Sequence, residues 1–204
     1  MFAVIEGIEG SGKSTLQAGV AEALRARGRS VITTREPGGS PLGDAIRALF
    51  LAPGPAIDPV AEAMLVNAAR AQHIATLIRP ALQRGEIVLC DRFVDSTLAY
   101  QGYGRGLDLA MLRSLCALAV GTLVADMTIV LDCDPSLSRR RLAERGLAHD
   151  RLEGENVDFY ERVRGGFLAI ARESERHVVL DAGDSRDALV AAALAAIEGV
   201  EAHA

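Results

Sequence analysis

The stretch Gly7-Ile8-Glu9-Gly10-Ser11-Gly12-Lys13-Ser14-Thr15 is the most informative part of this sequence, and its first eight residues fit the pattern G-x-x-x-x-G-K-[ST]. It follows an apolar run over residues 2–6 that predicts a strand, and it opens a pattern over residues 13–27 that predicts a helix. In that setting the glycines let backbone N–H groups turn toward the phosphates of a nucleoside triphosphate. Lys13 then reaches the phosphates, and the Ser14 hydroxyl ligates Mg²⁺. Residues 7–15 are therefore a predicted P-loop, a site for ATP and magnesium.

A glycine-rich turn with a purely structural role is the alternative interpretation of this stretch. From average composition, the pattern arises by chance in on the order of one chain in a hundred, before a flanking strand is required. Lys13 is also the only lysine among 22 Lys and Arg residues. A compact ammonium suits a point contact to phosphate better than a wide guanidinium does. Both observations favour phosphate binding.

Short apolar runs alternate with longer helical patterns along the whole chain. The runs predict five strands, at residues 2–6, 30–34, 87–91, 127–132 and 177–181. The segments between them predict seven helices, at residues 13–27, 41–51, 58–84, 107–120, 135–145, 157–173 and 185–198. This rhythm predicts an α/β fold in which a doubly wound, five-stranded parallel sheet carries helices on both faces. We expect residues 1–204 to form a single domain of the P-loop NTPase fold, with a lid segment.

Composition and cysteine usage narrow the classes of partner and compartment. A formal net charge of −5 argues against a nucleic-acid partner, which normally requires a basic surface. Cys90, Cys116 and Cys133 are odd in number and widely spaced, so we predict no disulfide framework and a reducing compartment. The longest apolar stretch, residues 115–125, has only half of the roughly 20 residues needed to span a bilayer. With no secretory signal at the start of the chain, we expect a cytoplasmic protein without a membrane partner.

Charged residues follow the predicted strands at the end of the sheet where ligands bind in such folds. Asp91 and Arg92 end the run at 87–91, and Arg35 follows the second strand. Each could be a solvated surface charge. Beside a P-loop, however, Asp91 can join the magnesium shell and Arg92 can bind an acceptor phosphate through two hydrogen bonds. Arg35 offers a second guanidinium on the same edge.

A basic helix and a polar segment after it predict a mobile lid. Arg141 and Arg145 are four residues apart, so they share one helical face, where like charges repel unless an anion lies between them. A solvated basic face is the alternative interpretation. The polar, glycine-flanked segment at about 146–156 carries Arg151 and suits a lid. Arginines on such a lid can close on the transferring phosphoryl group and neutralise its charge.

Other candidate sites are weaker. Asp132 and Asp134 could chelate a metal, but helix capping by Asp134 is favoured. The sequence lacks the Asn-Lys-x-Asp motif of guanine recognition, which weighs against a GTPase switch. The four histidines show no metal-ligand spacing, so we expect structural or solvent roles for all of them: His73, His149, His177 and His203.

Taken together, the motifs resemble those of bacterial thymidylate kinases from the first strand to about residue 182. They comprise the P-loop, Thr34 to Gly39, Ala68-Ala69-Arg70, Asp91-Arg92-Phe93, Ser96-Thr97-x-Ala99-Tyr100-Gln101-Gly102 and Asp150-Arg151-x-Glu153. The resemblance implies transfer of the γ-phosphate of ATP to dTMP, which gives dTDP and ADP. It also implies a homodimer and catalytic arginines supplied by the lid.

The resemblance assigns roles to individual substrate-binding residues. It implies that Arg92 and Arg35 surround the dTMP phosphate, and that Arg70 hydrogen-bonds the thymine carbonyl. Tyr100 would pack under the deoxyribose, where a ribose 2′-OH would clash, and Glu9 would contact the 3′-OH. Thr97 and Gln101 would lie near the base.

The sequence departs from the family pattern at two places. Val66 and Asn67 stand about one turn before Arg70, where an aromatic residue usually stacks on thymine, and Phe93 stands where Tyr or His is common. Stacking of a base on an aromatic ring is worth on the order of 1–3 kcal/mol. Two alternatives to a dTMP kinase are therefore a kinase for another or modified pyrimidine deoxynucleotide, and a nucleotide-binding homologue without catalysis.

Overall fold

The computed structural model describes residues 1–52, 54, 56–145 and 155–201. Five parallel strands form one sheet in the order β2-β3-β1-β4-β5. They are β1 (Phe2–Gly7), β2 (Val31–Arg35), β3 (Ile87–Asp91), β4 (Met127–Asp132) and β5 (His177–Asp181). The order changes direction at β1, so the P-loop that follows β1 lies at the point where ligands bind in doubly wound sheets.

Nine α-helices lie in the described part of the chain, and two π-helical turns continue two of them. The helices are α1 (Lys13–Ala26), α2 (Pro41–Leu51), α3 (Pro59–His73), α4 (Arg79–Gln83), α5 (Val94–Thr97), α6 (Leu109–Val120), α7 (Pro135–Arg145), α8 (Val157–Ala171) and α9 (Arg186–Glu201). The π-helical turns are Ile74–Ile78, between α3 and α4, and Leu98–Gly104, directly after α5.

The helices cover both faces of the sheet, as the sequence predicts. Ile5 of β1 packs in one apolar cluster with Val20 of α1, while its neighbour Val4 packs in a second cluster with Ile78. Successive strand residues point to opposite faces, so each face of β1 has its own core. Strand β4 and the edge strand β5 each contact both α8 and α9.

Polar residues fix where several helices begin. Ser40, Asp58, Asp108 and Asn156 cap α2, α3, α6 and α8, and each side chain accepts a hydrogen bond from a backbone N–H of the first turn. Such caps satisfy donors that the helix itself cannot. Because Asp108 is a cap, α6 begins at Leu109 and not at the predicted residue 107.

Two predicted elements differ from the structure. The helix predicted over 58–84 is interrupted by the π-helical turn Ile74–Ile78, which directly precedes Pro80. Proline lacks an N–H and its ring crowds the preceding turn, so a regular α-helix cannot continue unchanged there. The glycine-rich stretch Gly102-Tyr103-Gly104-Arg105-Gly106 predicts a loop built on a turn. This prediction is wrong for Gly102 to Gly104, which belong to the second π-helical turn.

Among the residues that the structure describes, no helix combines the length and the apolar character needed to cross a membrane.

Candidate active site

The P-loop turns sharply between β1 and α1. Gly10 has a φ of 69° and Gly12 a φ of 100°, both in the left-handed region that other residues disfavour. A Cβ on Gly10 would lie 2.7 Å from the carbonyl oxygen of Ser138, so α7 leaves no room for a side chain. Ser138 also donates its hydroxyl to the carbonyl oxygen of Glu9 over 2.6 Å. Glycine is thus required for a concave turn of the kind whose N–H groups bind anions.

Lys13 folds back over this turn. Its side chain is buried, and Nζ donates to the carbonyl oxygen of Ile8 over 2.9 Å. Burial lowers the pKa of Lys13, and the positive charge of Arg92 lowers it further. The carboxylates of Asp91 and Glu9 offset this only in part, and a phosphate at this point would add further opposite charge.

Ser14 and Asp91 meet beside the P-loop from distant parts of the chain. Ser14 Oγ donates to Asp91 Oδ2 over 3.2 Å. The other carboxylate oxygen of Asp91, Oδ1, is buried and has no hydrogen-bond partner in the described part of the protein. A buried polar atom without a partner requires an explanation, and a cation is one that suits a carboxylate oxygen. A hydroxyl and a carboxylate are hard oxygen ligands, so the pair fits Mg²⁺.

Arg92 reaches from the end of β3 to the P-loop. Its Nη1 donates to the Gly7 carbonyl oxygen over 3.0 Å and to Ser96 Oγ over 3.1 Å. Its Nη2 donates to Glu9 Oε1 over 2.6 Å and to the Tyr100 hydroxyl over 3.2 Å. Burial would lower the pKa of Arg92, but Glu9 and other acidic neighbours raise it well above its usual value. The guanidinium is a fixed positive charge with a fixed orientation.

Two further arginines, Arg35 and Arg47, lie near the Arg92 guanidinium. Arg35 is exposed at the end of β2, and Arg47 of α2 donates from Nη1 to the Pro37 carbonyl oxygen over 3.2 Å. Burial lowers the pKa of Arg47, and the charges of Arg35 and Arg92 add to this effect. Like charges that converge in this way are stabilised when an anion binds between them. The sequence did not single out Arg47, because its position on a predicted helix gave no indication of what α2 faces.

Glu9 is the carboxylate that touches this group of arginines. Burial would raise the pKa of Glu9, but the charges of Arg92 and Lys13 outweigh that effect and lower it to about 2. Glu9 is therefore ionised at neutral pH, and it holds Arg92 at the mouth of a cleft.

That cleft leads away from the arginines. Phe50, Leu51 and Val66 line its apolar part. The Tyr100 ring lies across from Arg92, with 5.0 Å between the ring centroid and Arg92 Cζ. A cleft with convergent charges at one end and apolar walls at the other suits a nucleoside monophosphate. The predicted substrate residues Glu9, Arg70, Arg92, Thr97, Tyr100 and Gln101 all line it, whereas Arg35 does not.

Arg70 lines this cleft but is almost fully engaged within the protein. Its Nε donates to Glu36 Oε2 over 2.7 Å, and its Nη2 donates to the Phe93 carbonyl oxygen over 2.7 Å. Its Nη1 donates to Asn67 Oδ1 and to Thr97 Oγ1, each over 3.1 Å. Phe93 also packs its ring under the Arg70 guanidinium, 5.2 Å from Cζ. Asn67 and Phe93, the two departures from the family pattern, thus both help to fix Arg70.

A second cleft lies on the α7 and α9 side of the P-loop. Arg141 donates from Nη1 to the Ser11 carbonyl oxygen over 3.2 Å and from Nη2 to the Ala182 carbonyl oxygen over 2.9 Å. Arg141 therefore lies against the P-loop and the segment after β5. Residues 146–154 of the predicted lid, which include Arg151, lie outside the described residues, and so does the side chain of Arg145. The last two residues of the predicted lid, Glu155 and Asn156, precede α8.

The remaining predictions concern histidines and carboxylates. His73 is buried and structural, since its ring bonds Glu36 Oε1 at 3.1 Å and Thr34 Oγ1 at 2.7 Å. Asp134 accepts from the Ser136 N–H over 2.8 Å, as expected of a residue that caps the start of α7. His177 pairs with Asp95, Asp132 pairs with Arg164, and His149 and His203 lie outside the described residues.

Comparison with known proteins decides the family. A family model described as thymidylate kinase matches residues 5–193. The chain belongs to the thymidylate kinase family. A thymidylate kinase from Deinococcus radiodurans is 48% identical over 97% of this chain and 96% of that protein, and one from Solidesulfovibrio magneticus is 47% identical over 94% and 96%. The crystal structure of thymidylate kinase from Ehrlichia chaffeensis superposes with a TM-score of 0.79, at 33% identity, over 97% of this chain and 98% of that one.

Membership of the thymidylate kinase family confirms the resemblance drawn from the motifs and the predicted α/β fold. It supports an active dTMP kinase and gives no support to a kinase for another nucleotide or to an inactive homologue. The roles of individual residues stay predictions. Besides Arg47, sequence reasoning missed Phe50, and it quoted Ser96 only as part of a motif without a role; both residues line the cleft beside Arg92. The spacing of Ile46 and Phe50 on one face of α2 could have identified that face as buried.

Proposed function

We propose that the P-loop holds the triphosphate of ATP while the cleft lined by Glu9 and Arg92 holds dTMP, so that the chain catalyses the reaction of its family, ATP + dTMP → ADP + dTDP. One observation carries this assignment: two clefts flank a single P-loop, with Glu9 in one and Gly10 to Gly12 in the other. Phosphoryl transfer needs donor and acceptor phosphates in line, and two sites that meet at one loop provide this alignment. A single domain, residues 1–204, would contain both.

The acceptor phosphate is proposed to bind among Arg92, Arg35 and Arg47. Arg92 offers two donating nitrogens in a fixed plane, and an incoming phosphate can take over part of the contact that Glu9 now makes. Glu9 is then free to accept a hydrogen bond from the sugar 3′-OH. Tyr100, whose ring packs beside Arg92, would lie under the deoxyribose.

The thymine base is proposed to bind between the apolar wall and the polar residues at the far end of the cleft. Phe50 and Val66 line that wall, and Phe50 supplies an aromatic ring that position 66 lacks. Thr97, Gln101 and the edge of Arg70 would meet the base. Since Arg70 is held by Glu36 and Phe93, it can present a donor to the thymine carbonyl without reorganisation.

Mg²⁺ is proposed to bind at Ser14 and Asp91, on the strength of the unpartnered Asp91 Oδ1. Magnesium held there would neutralise the negative charge that develops on the transferring phosphate. Lys13 contributes a further positive charge from the P-loop. Arg141 is proposed to contact the donor nucleotide from the second cleft, Arg145 to act from the end of α7, and Arg151 to act from the lid at about 146–156. Catalysis would thus consist of positioning and charge neutralisation.

The substrate assignment predicts a preference that depends on one methyl group. ADP formation should depend on both dTMP and Mg²⁺. In addition, kcat/KM for dTMP should exceed kcat/KM for dUMP by about tenfold, because one methyl group in an apolar pocket is worth roughly 10–200-fold. Steady-state rates of ADP release with each monophosphate measure this, and dUMP is the matched control because it lacks only the methyl. Activity that survives EDTA, or a preference for another monophosphate, would contradict the proposal.

The chain is also proposed to act as a homodimer through α3 and α6. These helices contact each other, and they expose Val60 and Met64 on α3 and Met111 and Leu118 on α6. Leu118 is 84% exposed, which is unusual for a side chain of its size. Exposed apolar residues on adjacent helices are typical of a subunit interface.

The dimer predicts that Leu118→Glu shifts the chain from dimer to monomer at micromolar concentration, because a charge would be buried without a partner. Sedimentation velocity measures the mass. Val124→Glu is the control, since Val124 is 61% exposed but lies in the connection after α6. A wild-type chain that sediments as a monomer at every concentration would refute the dimer.

The compartment is proposed to be the cytoplasm. Cys90, Cys116 and Cys133 are all buried and free, which fits a reducing environment.

A further inference from the structure

Arg92 has an unusual backbone conformation that its surroundings must hold. Its φ is 73°, and it is the one residue other than glycine with a positive φ in the part of the chain that the structure describes. This region is disfavoured for L-residues with a side chain, and it persists at functional sites only where the surrounding structure enforces it. The contacts of the residues that follow Arg92 therefore matter for where its guanidinium points.

Glu6 makes most of those contacts. It lies near the end of β1, directly before the P-loop in sequence, and it is fully buried. Its Oε1 accepts from the N–H groups of Phe93 over 2.8 Å and of Ser96 over 3.2 Å. Its Oε2 accepts from the Ser96 hydroxyl over 2.6 Å. One carboxylate thus holds both ends of the Phe93 to Ser96 segment.

Ser96 links Glu6 to the Arg92 guanidinium through two hydrogen bonds. Because its proton is donated to Glu6, Ser96 Oγ turns a lone pair toward Arg92 and accepts from Nη1 over 3.1 Å. Arg92 Nη1 donates also to the Gly7 carbonyl oxygen, the residue next to Glu6. The Arg92 guanidinium is therefore held between Ser96 Oγ, which Glu6 orients, and the carbonyl oxygen of Gly7, the residue after Glu6.

We propose that Glu6 is a positioning residue for the acceptor site: it holds the strained Arg92 backbone and orients Ser96, so that the Arg92 guanidinium is aimed at the dTMP phosphate before dTMP binds. This inference rests on the proposed role of Arg92 at that phosphate. Glu6 lines neither of the two clefts proposed for the nucleotides; it instead lines a separate cavity together with Asp95 and His177.

The state of the Glu6 carboxyl agrees with such a role. Burial, and next the charge of Asp95, raise the pKa of Glu6 to about 7, while Ser96, Arg92 and the Phe93 N–H oppose the increase. A buried carboxyl that is costly to ionise is retained where its hydrogen bonds serve a function. Here the acceptor capacity of both oxygens is used by one segment.

Glu6→Gln tests the proposal with the smallest change in shape. The amide keeps one accepting oxygen but turns a donor toward Ser96, whose hydroxyl then loses the acceptor for its proton. We expect KM for dTMP to rise on the order of 10–100-fold, while KM for ATP changes less than twofold, because misaiming one guanidinium affects only the acceptor. Thr128→Val, a buried polar-to-apolar change on β4 in the same cavity, should leave both KM values unchanged.

A double variant separates positioning from a general loss of stability. If Glu6 acts through Ser96, then Glu6→Gln combined with Ser96→Ala should raise KM for dTMP no more than the worse single variant does. Two results with Glu6→Gln would overturn the inference: an unchanged KM for dTMP, or equal losses of affinity for dTMP and ATP. If Glu6→Gln does not fold, an unchanged KM for dTMP in Ser96→Ala would overturn it instead. Arg92→Met in the same series separates a failure of the Glu6 inference from a failure of the proposed acceptor site. If Arg92→Met also leaves dTMP binding intact, the proposed acceptor site itself is wrong.

Discussion

Lys13→Ala is expected to lower kcat/KM for ATP by about 10³-fold, the loss typical of removing one preorganised charge from a phosphoryl-transfer site. Lys13 Nζ lies over the P-loop, 2.9 Å from the Ile8 carbonyl oxygen, where a triphosphate would pass. Because burial lowers the pKa of Lys13, the ammonium is under-stabilised in the absence of an anion. Its removal should therefore leave the fold intact, and the thermal unfolding temperature measures this separately from the coupled assay of ADP release.

The control for this variant is Lys13→Arg, which keeps the charge and changes the shape. The wider guanidinium does not fit a turn whose glycines are packed against α7, so we expect it to recover only a small part of the rate. Lys13 is the only lysine of the chain, so no other lysine can replace it. Full activity in Lys13→Ala would show that the P-loop does not bind the transferred phosphate.

The elements that the sequence predicted best are those that are specified locally. The strands β3, β4 and β5 have the predicted bounds. β3 and β4 are buried parallel strands, which form continuous apolar runs, and β5 keeps an apolar run although it lies partly exposed at the edge of the sheet. The P-loop is equally local, since glycine spacing, lysine and hydroxyl lie within nine residues. The fold class followed from the alternation of these runs with helical patterns.

The segment after Arg92 shows why other parts could not be predicted. Gly102 and Gly104 suggested a turn, because glycine usually marks one. In the structure they are in a π-helical turn, and a Cβ on Gly102 would lie 2.5 Å from Leu109 Cδ2, while one on Gly104 would lie 2.7 Å from Phe159 Cε2. These glycines allow close packing against α6 and α8. That need depends on tertiary contacts that no local pattern contains.

The residues of the candidate site also fall into two groups, those that a local sequence pattern predicts and those that only tertiary contacts bring to the site. Residues that follow strands, such as Asp91 and Arg92, were identified because parallel strands end at one edge. Arg47 and Phe50 reach the cleft from a helix, and the sequence did not determine which helix covers it. Glu6 was read only as the end of a strand, since its hydrogen bonds join residues 90 positions apart.

Arg92→Met is expected to have the second large effect, and on the other substrate. The Arg92 guanidinium joins the Gly7 carbonyl oxygen, Ser96, Tyr100 and Glu9, and it directs two nitrogens toward the cleft in which we place dTMP. We expect kcat/KM for dTMP to fall on the order of 10³-fold, as for other arginines that neutralise phosphoryl charge. Binding of an ATP analogue, measured by calorimetry, should change less than twofold, because Arg92 lies on the acceptor side of the P-loop.

Arg92→Lys refines the same prediction, because an ammonium keeps the charge but cannot form two parallel hydrogen bonds in a plane. It should retain an intermediate rate, and the difference between the two variants measures the value of the planar group. Arg113→Met is the matched control, since Arg113 is half exposed and pairs with Glu173 on the surface, where such a pair contributes little. If Arg92→Met bound dTMP as the wild type does, the phosphate would have to bind elsewhere, and the convergence of Arg35, Arg47 and Arg92 would need another explanation.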